Sequence, residues 1–275
     1  MSSKAKVVKS FSASITNCKD YSRNHREMCI ISRDGKFGLA ERFNKKLITL
    51  IECKYDYIDS LCCESCYSNV IGVSLSGKWG LYSFRYTVSA KSNRIDCRMV
   101  AECEYDFITV NIFSDIVILH KQKEFQKCYY NFKSGKLSSP YEYILFADEH
   151  YFECGTENTV KWIDIRTDSV IYSAEDLCVH PQLLSRDLYL FTKYDFDEVV
   201  GDNKSDLVFY NRNLCVSYVI ENTDSLNVTK NGYEDFEENI VLVFRKNSKK
   251  HIIATSDCEW DYDEIRKIAK VVEYT

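Results

Sequence analysis

The residues with the clearest capacity for chemistry are three cysteines of a CCxxC cluster, Cys62, Cys63 and Cys66. Thiolates at such spacing could supply part of a tetrahedral zinc site, which needs four ligands. The sequence contains neither a second CxxC nor a paired histidine motif to complete the set. Three more cysteines could approach on adjoining segments: Cys53, Cys97 and Cys103. We expect small buried or loop thiols and no metal, with zinc as the alternative.

A second candidate for ion binding is the acidic segment YDFDEVVGDNKSD, residues 194–206. Its carboxylates are of the type that calcium prefers, but an EF-hand loop also needs glycine at position six and glutamate at position twelve. Both are missing from this segment. We therefore predict a solvated hairpin loop.

Catalytic motifs are missing from the sequence. It has no GxSxG elbow, no HExxH motif and no GxGxxG or GxxxxGK[ST] phosphate loop. The 41 acidic residues guarantee carboxylate pairs by chance, so such pairs do not indicate a glycosidase. We predict a protein that is not an enzyme, with no catalytic residue and no cofactor. The five histidines belong to no recognisable motif: His25, His120, His150, His180 and His251.

The densest basic stretch is RKNSKKH, residues 245–251. Aromatic residues do not alternate with its cations, as they often do in nucleic-acid binding segments, and the chain carries a net charge of −5. We expect the tip of a charged hairpin and no nucleic-acid partner, with nucleic-acid contact as the alternative.

The compartment follows from cysteine usage and hydropathy. Thirteen cysteines, an odd number, favour reduced thiols over a disulfide framework. The first residues lack the apolar core of a signal peptide, and no run of about 18 apolar residues indicates a membrane span. We expect a cytoplasmic protein with no membrane contact.

The composition favours strands over helices. Among 275 residues there are 20 tyrosines and 15 phenylalanines, but two prolines and three methionines. Aromatic and β-branched side chains suit a pleated, half-buried surface. The chain is therefore predicted to be all-β.

An internal repeat organises these strands. Residues 34–41, DGKFGLAE, and 51–58, IECKYDYI, match residues 76–83, SGKWGLYS, and 101–108, AECEYDFI. The second copy is eight residues longer between its two motifs, as a loop insertion allows. The first glycine suits a turn, and the second lets a strand lie close to its neighbour's backbone.

Weaker copies extend the repeat to about six units. Each predicts an apolar strand, a strand through the aromatic motif and a strand leading to a tyrosine anchor. The weaker copies are residues 128–144, 159–173, 206–220 and 258–265, and the apolar strands are VIGVSL (70–75), DIVILH (115–120), DLYLFT (187–192) and NIVLVF (239–244). Continuous apolar runs indicate strands that are covered on both faces.

Short strands of this kind need stacked neighbours to bury their faces. Units of about 35 to 50 residues with three or four strands have the size of propeller blades. We predict a propeller-like toroid of about six short antiparallel three- or four-stranded blades, forming one domain over residues 28–275. The segment 1–27 can supply a strand that closes the ring with VVEY, residues 271–274.

The motifs GKWGLYS and ECEYDFI, with GKFGLAE and ECKYDYI, resemble the units of the WG-repeat (KWG) family. The resemblance is specific over residues 28–110 and weaker beyond them. It implies a β-propeller that serves as a binding platform, mostly bacterial, and it supplies no catalytic residue. The family's proline before the anchor tyrosine occurs here only at Pro140, and the second glycine is missing from units three to six.

The repeated aromatic residues have two interpretations. They can form the core and the packing between blades, or a stacking platform for bases or sugars. We predict the core, because a residue that every unit carries is needed by the unit. The residues are Phe37, Trp79, Trp162, Tyr55, Tyr105, Tyr141 and Tyr262.

The acidic residues beside the anchors are expected to bond to turn backbone. A ring of carboxylates around a central channel is the alternative. The residues are Asp56, Asp106, Glu142 and Asp263.

For function the sequence favours a non-enzymatic binding module that recognises a partner protein through loops between blades. A composition rich in Lys, Asn, Ile, Tyr and Ser also suits a bacterial, phage or other mobile-element protein that inhibits a host enzyme. The alternative is a small-molecule binder or a hydrolytic enzyme that uses the central channel. The loops expected to make contact are residues 64–69, 89–96, 196–205 and 222–238.

Overall fold

A computed structural model gives the architecture of the chain. It describes residues 4–13, 26–43, 45–61, 70–88, 93–111, 116–146, 150–175, 179–185, 187–193, 204–231, 239–256 and 259–274. Nearly all of these residues lie in antiparallel strands, and the described part contains a single five-residue helix. The prediction of an all-β chain is confirmed.

The chain divides into two compact units, residues 1–143 and 144–275. The first unit holds three four-stranded sheets whose strands follow chain order. Sheet 1 contains β1 (Lys6–Ala13), β2 (Arg26–Arg33), β3 (Lys36–Phe43) and β4 (Lys46–Tyr55). Sheet 2 contains β5 (Tyr57–Ser60), β6 (Val70–Leu75), β7 (Lys78–Val88) and β8 (Asn93–Tyr105). Sheet 3 contains β9 (Phe107–Val110), β10 (Ile116–Lys121), β11 (Gln126–Asn131) and β12 (Lys136–Leu137).

The second unit begins with another four-stranded sheet and continues with an eight-stranded one. Sheet 4 contains β13 (Tyr143–Phe146), whose first residue belongs to the first unit, β14 (Tyr151–Thr156), β15 (Thr159–Asp164) and β16 (Ser169–Glu175). Sheet 5 contains β17 (Val179–Ser185), β18 (Leu188–Lys193), β19 (Ser205–Asn211), β20 (Val216–Asn231), β21 (Asn239–Lys246), β22 (Lys249–Ser256), β23 (Glu259–Trp260) and β24 (Lys270–Val272). Helix α1 (Tyr262–Arg266) lies between the last two strands.

Glycine-containing turns join the second and third strands of the first two sheets. Asp34 and Gly35 both have positive φ, of 55° and 75°, and Ser76 and Gly77 repeat this with 54° and 77°. Two consecutive left-handed residues form the type I′ turn, whose twist matches that of a hairpin. The first glycine of each motif therefore has the predicted turn role.

The second glycine of each motif allows two backbones to approach. A Cβ atom on Gly80 would lie 2.7 Å from the Ala101 carbonyl oxygen, and one on Gly38 would lie 2.5 Å from that of Ile51. At both glycines the strand register shifts, as in a β-bulge. The close approach expected from the sequence is confirmed at both positions.

Later units use Asx turns, beside Gly135 in the third sheet and without a turn glycine after Asp164 and Asn211. Asn131 Oδ1 accepts hydrogen bonds from the backbone N–H groups of residues two and three positions later, at 2.9 and 3.3 Å. Asp164 does the same at 2.7 and 3.1 Å, and Asn211 at 3.1 Å twice. A side-chain oxygen of this kind organises a turn locally. The hairpin geometry therefore persists where the glycine motif has decayed.

Aromatic and aliphatic side chains pack consecutive sheets of the first unit together. One cluster joins sheets 1 and 2 and contains Met28, Leu39 and Tyr55 beside Ile71 and Phe84. A second cluster joins sheets 2 and 3; its buried residues are Val70, Leu81, Ala101, Tyr105, Val117, Leu119, Cys128 and Tyr130. The apolar run Ile116–Leu119 is buried on both faces, as its pattern predicts. Consecutive sheets thus shield each other's faces.

The second unit is packed in the same way. Trp162 and Tyr172 of sheet 4 contact Phe191 of sheet 5, with ring centroids 4.8 and 4.4 Å apart. A further cluster covers the other face of sheet 5 and includes Phe244 and Ile265. The run from Ile240 to Phe244 alternates between buried and half-buried residues, so its outer face is less covered than we expected.

Three segments differ from their sequence predictions. Residues 222–231, predicted as a loop, form the second part of β20, because the strand continues past Thr223 and pairs with β21. Tyr262 begins helix α1 instead of ending a strand, because the Asp261 carboxylate accepts from the N–H groups of Asp263 and Glu264. The terminal strands β1 and β24, suggested as complements, pair with β2 and β20.

Candidate interaction surface

The acidic anchors of the first unit fasten consecutive sheets at their turns. The Asp56 carboxylate accepts the backbone N–H of Ser76 at 2.7 Å and also bonds Lys36. Asp106 accepts the N–H of Gln122 at 2.8 Å and pairs with Lys78 at 2.6 Å. The pKa of each carboxyl is lowered, first by the lysine hydrogen bond and then by the backbone donor.

The predicted bonding of the anchors to turn backbone is therefore confirmed at these two positions. Glu142 is exposed, and Asp263 pairs with Arg266 within helix α1 at 3.2 Å. Those two acids do not show the bonding that Asp56 shows.

The anchor tyrosines mostly belong to the core. Tyr55, Tyr105, Tyr141 and Trp162 are buried, and the Tyr55 and Tyr82 hydroxyls lie 2.9 Å apart. Burial raises the pKa of Tyr55 and Tyr105 above the ordinary range. The other three repeated aromatics, Phe37, Trp79 and Tyr262, are half-buried against the clusters. The interpretation as packing residues is confirmed for the buried four, and no flat aromatic platform is formed by them.

Exposed apolar side chains lie beside the same turns. Tyr57, directly after Asp56, is 50% exposed and meets Trp79 edge to face with centroids 5.7 Å apart. Leu75, directly before Ser76, is 37% exposed, and Phe125 in the turn that begins at Gln122 is 81% exposed. We call Tyr57, Leu75 and Phe125 the turn surface. Its backbone is held by the anchor carboxylates, so its side chains are presented from a fixed support.

Phe125 combines exposure with an unfavourable backbone conformation. Its φ is 51°, and its N–H donates to the Gln122 carbonyl at 3.2 Å to close the turn. A bulky residue in the left-handed region is an outlier that costs about 1–2 kcal/mol. At comparable turn positions the chain uses Gly135, Asp168 and Cys215, with φ of 69°, 60° and 54°, all smaller than phenylalanine. Folding alone would thus favour glycine at position 125. In the sequence, Phe125 could have been found only as an aromatic residue within a turn.

A histidine completes this region. His120 stacks on Phe107 with centroids 4.1 Å apart, and its Nε2 lies 2.8 Å from the Thr109 hydroxyl. Burial, with a smaller contribution from Lys127, lowers the pKa of His120 to about 4. The imidazole is therefore neutral at pH 7, which suits a packing role.

The second unit contains a buried ionic cluster that the sequence analysis missed. Arg212 Nε lies 2.9 Å from Asp164 Oδ2 and 3.7 Å from Asp187 Oδ1, and Arg212 Nη2 donates to the Tyr189 hydroxyl at 3.3 Å. The Asp164 side chain is fully buried. Two carboxylates around one guanidinium resemble a catalytic pair, but the shared cation and the Asx turn at Asp164 indicate that the cluster joins sheets 4 and 5. In the sequence, the only indication of this cluster was the Asp or Asn residue at which strands β15 and β19 end.

A second buried acid lies in the same unit. Asp206, the last residue of the predicted acidic loop, is buried and accepts hydrogen bonds from the Tyr172 hydroxyl and from the Asn222 N–H at 2.9 Å. Burial and then the bond to Asp206 raise the pKa of Tyr172. Residues 194–203 lie outside the described part of the chain, so the loop prediction is untested there.

The structure describes only some of the cysteines for which the sequence made predictions. Cys62, Cys63 and Cys66 lie outside the described residues. Cys53 and Cys103 are half-buried on different strands, and burial raises the pKa of both thiols. Within the described ranges, no group of three or more His, Cys, Asp or Glu side chains is arranged to hold a metal ion.

Of the predicted contact loops, residues 64–69, 89–92, 196–203 and 232–238 fall outside the described ranges. Residues 93–96 belong to β8, and Ser205 begins β19. His25 and the side chain of His180 are not described either. The basic stretch at 245–251 forms a hairpin tip, as predicted. Within the described residues, no helix has the length and apolar character needed to cross a membrane.

Comparisons with known proteins add little to these observations. No family model matches the chain, and no curated protein matches it. Among solved structures, Hsv2p of Kluyveromyces lactis has a TM-score of 0.26 and 10% identity over 87% of this chain and 73% of that one. KlHsv2 with loop 6CD replaced by a Gly-Ser linker has a TM-score of 0.25 and 10% identity over 97% and 98%. Likenesses at these scores carry no argument, so the fold assignment rests on this chain's own sheets.

Proposed function

We propose that the chain is a non-enzymatic binding module that recognises a partner protein. The observation that supports this best is Phe125, a highly exposed aromatic residue held in a conformation that costs folding free energy. Strained residues persist where function needs them. Aromatic residues, phenylalanine included, are also enriched in protein interfaces relative to the rest of the surface.

The turn surface offers the partner a contact with little loss of conformational freedom. Asp56 and Asp106 fix the turns, and Trp79 limits the rotation of Tyr57. A side chain that is ordered before binding loses less entropy on association. The partner is expected to bury Phe125 in an apolar pocket and to contact Tyr57 at its rim.

For architecture we propose the WG-repeat arrangement, a toroid of about six blades in one domain over residues 28–275. The stacking of consecutive sheets in each unit supports it; these sheets are four-stranded in the first unit and four- and eight-stranded in the second. A compact chain of 275 residues has a radius of gyration of about 19 Å. Small-angle X-ray scattering tests this, since two separated bodies would give a distinctly larger value.

For the biological setting we propose the bacterial or phage cytoplasm, where the module inhibits a host enzyme by covering its surface. The direct test is addition of the purified chain to the captured partner's assay. Unchanged activity at saturation would remove the inhibitor role while leaving the binding role intact.

The binding role is tested by affinity capture from the native host with the wild type, Phe125→Gly and Tyr57→Ala. The expected result is a co-purifying polypeptide that both variants lose. Leu214→Ala is the matched control, because Leu214 is also an exposed apolar turn residue. Native mass spectrometry of the same samples should show a protein complex, whereas a bound metabolite would contradict the proposal.

A further inference from the structure

Four basic residues oppose one another at the tip of the β21–β22 hairpin. In the strand register Arg245 faces Lys250, and Lys246 faces Lys249, across a turn in which Asn247 and Ser248 have φ of 50° and 60°. Like charges in directly opposite positions destabilise a hairpin. The tip therefore carries a charge arrangement that folding alone does not favour.

Among the described residues, these cations have no acidic partner. Within the part of the chain that the structure describes, no carboxylate forms an ion pair with any of the four. Asp224 is the register partner of Arg245 on β20 but forms no ion pair with it. Arg245, Lys249 and Lys250 are exposed. The positive charge at the tip is thus available to an external anion.

The cations project from both faces of the hairpin. Successive side chains along a strand point to opposite faces, so Arg245 and Lys250 share one face, while Lys246 and Lys249 share the other. The second pair lies just beyond Phe244 and His251, whose rings stack with centroids 5.4 Å apart. On the β23 side, the described part of β22 is paired only at Thr255 and Ser256, which leaves the edge of β22 near the tip open.

An anionic partner that contacts the cations on both faces of the hairpin must carry negative charge on both sides of the tip. The major groove of B-form DNA has phosphates on both sides and is about 12 Å wide, which admits a two-stranded ribbon. A flat anionic surface would meet one face only, and the deep, narrow groove of duplex RNA does not admit side chains. The sequence alone favoured no nucleic-acid partner, but the strand register supports the alternative: we propose that the β21–β22 tip binds the phosphate backbone of double-stranded DNA, independent of sequence, with the tip inside the major groove.

This activity is separate from the turn surface, and salt dependence tests it without any variant. Binding of a fluorescent 20-bp DNA duplex of mixed sequence is measured by anisotropy from 50 to 200 mM KCl. Four phosphate contacts predict a slope of log K against log[KCl] of about −3.6, or roughly a 150-fold loss of affinity over that range. No binding at 50 mM KCl, or a slope near zero, would overturn the proposal.

The variants assign the binding to the tip. Arg245, Lys246, Lys249 and Lys250 are changed together to alanine, which should abolish the salt-dependent binding. The melting temperature should stay the same or rise, because the like-charge pairs are removed. Lys250→Ala alone should reduce the slope by about 0.9. The control with equal charge change is alanine at Lys6, Lys9, Lys46 and Lys136, all exposed. Equal loss in this control would overturn the assignment.

Competitors distinguish the other anionic partners. Duplex RNA of the same length should bind more weakly than DNA, and polyglutamate should compete poorly at equal charge. Phosphatidylserine-containing vesicles should bind less than DNA at equal lipid-phosphate concentration. Equal or stronger binding by any of these three would contradict the placement of the tip in a DNA groove.

Discussion

The carboxylate of Asp56, the residue between the first and second sheets, accepts the Ser76 N–H in the turn of the second sheet at 2.7 Å. The hydrogen bonds from Lys36 and from the Ser76 backbone lower the pKa of Asp56. The ionised carboxylate is therefore more favourable in the folded state than in the unfolded state. This stabilisation is present above the unfolded pKa of about 3.9 and is lost as pH falls through the lower folded value. Asp56→Ala should therefore lower stability at pH 7 and matter less at pH 3.

Thermal unfolding at the two pH values checks this prediction, and Asp106→Ala should behave in the same way. Glu102→Ala is the control, because Glu102 is an exposed acidic residue on β8. An equal effect of Asp56→Ala at both pH values would contradict the role of the charged form.

Gly80→Ala should destabilise the second sheet by about 1–3 kcal/mol, because the new methyl group would lie 2.7 Å from the Ala101 carbonyl oxygen. Urea denaturation measures the change. Gly77→Asn is the matched control, since Gly77 has φ of 77° and open space around it, and asparagine tolerates that conformation. A larger loss for Gly77→Asn than for Gly80→Ala would contradict the close-approach explanation.

Arg212→Met should cost about 3 kcal/mol, because it leaves the buried Asp164 carboxylate without its cation. The double variant Arg212→Met with Asp164→Asn keeps the Asx acceptor oxygen and removes the buried charge. It should be more stable than Arg212→Met alone. A double-mutant cycle by urea denaturation measures this coupling, and simple additivity would show that the pair does not interact.

His120 should titrate near pH 4 in the folded protein. Because this folded pKa lies below the unfolded value of about 6.5, the neutral ring contributes stability that is present above pH 6.5 and lost as pH falls toward 4. Two-dimensional NMR of the ring protons checks the midpoint. Lys127→Ala should raise it slightly, whereas a midpoint near 6.5 in the wild type would contradict the burial of the ring.

Cys97 should resist alkylation, because burial and then Asp96 raise the pKa of its thiol to about 12. At pH 8 only about one such thiol in ten thousand is ionised, and the thiolate is the reactive form. Iodoacetamide labelling followed by peptide mass spectrometry should modify the exposed Cys215 well before Cys97. Equal rates in the native protein would show that Cys97 is accessible.

The sequence predicted the strands well where packing and turn chemistry agree. Gly35 and Gly77 mark turns by their freedom at positive φ, and Gly38 and Gly80 mark close contacts, so the first two sheets could be anticipated from their motifs. The segment at 222–231 was misjudged, because its polar residues have the composition of a loop while its backbone completes a sheet.

The candidate surface was harder to anticipate. The left-handed φ of Phe125 depends on the length of its turn, and the pairing of Arg212 with Asp164 joins residues 48 positions apart. Neither follows from local composition. The basic tip was visible in the sequence as a run of cations, but the strand register was needed to show that Lys246 lies opposite Lys249.

Strand β20 has a consequence for how the second unit unfolds. Its first part, up to Thr223, pairs with β19 and β24, and its second part, from Asp224, pairs with β21. With no linker between the two halves of the eight-stranded sheet, amide protons on both sides of residue 223 should exchange with solvent in one cooperative opening. Deletion of the last six residues, which removes β24, would therefore accelerate exchange even in β21, a strand with which β24 does not pair.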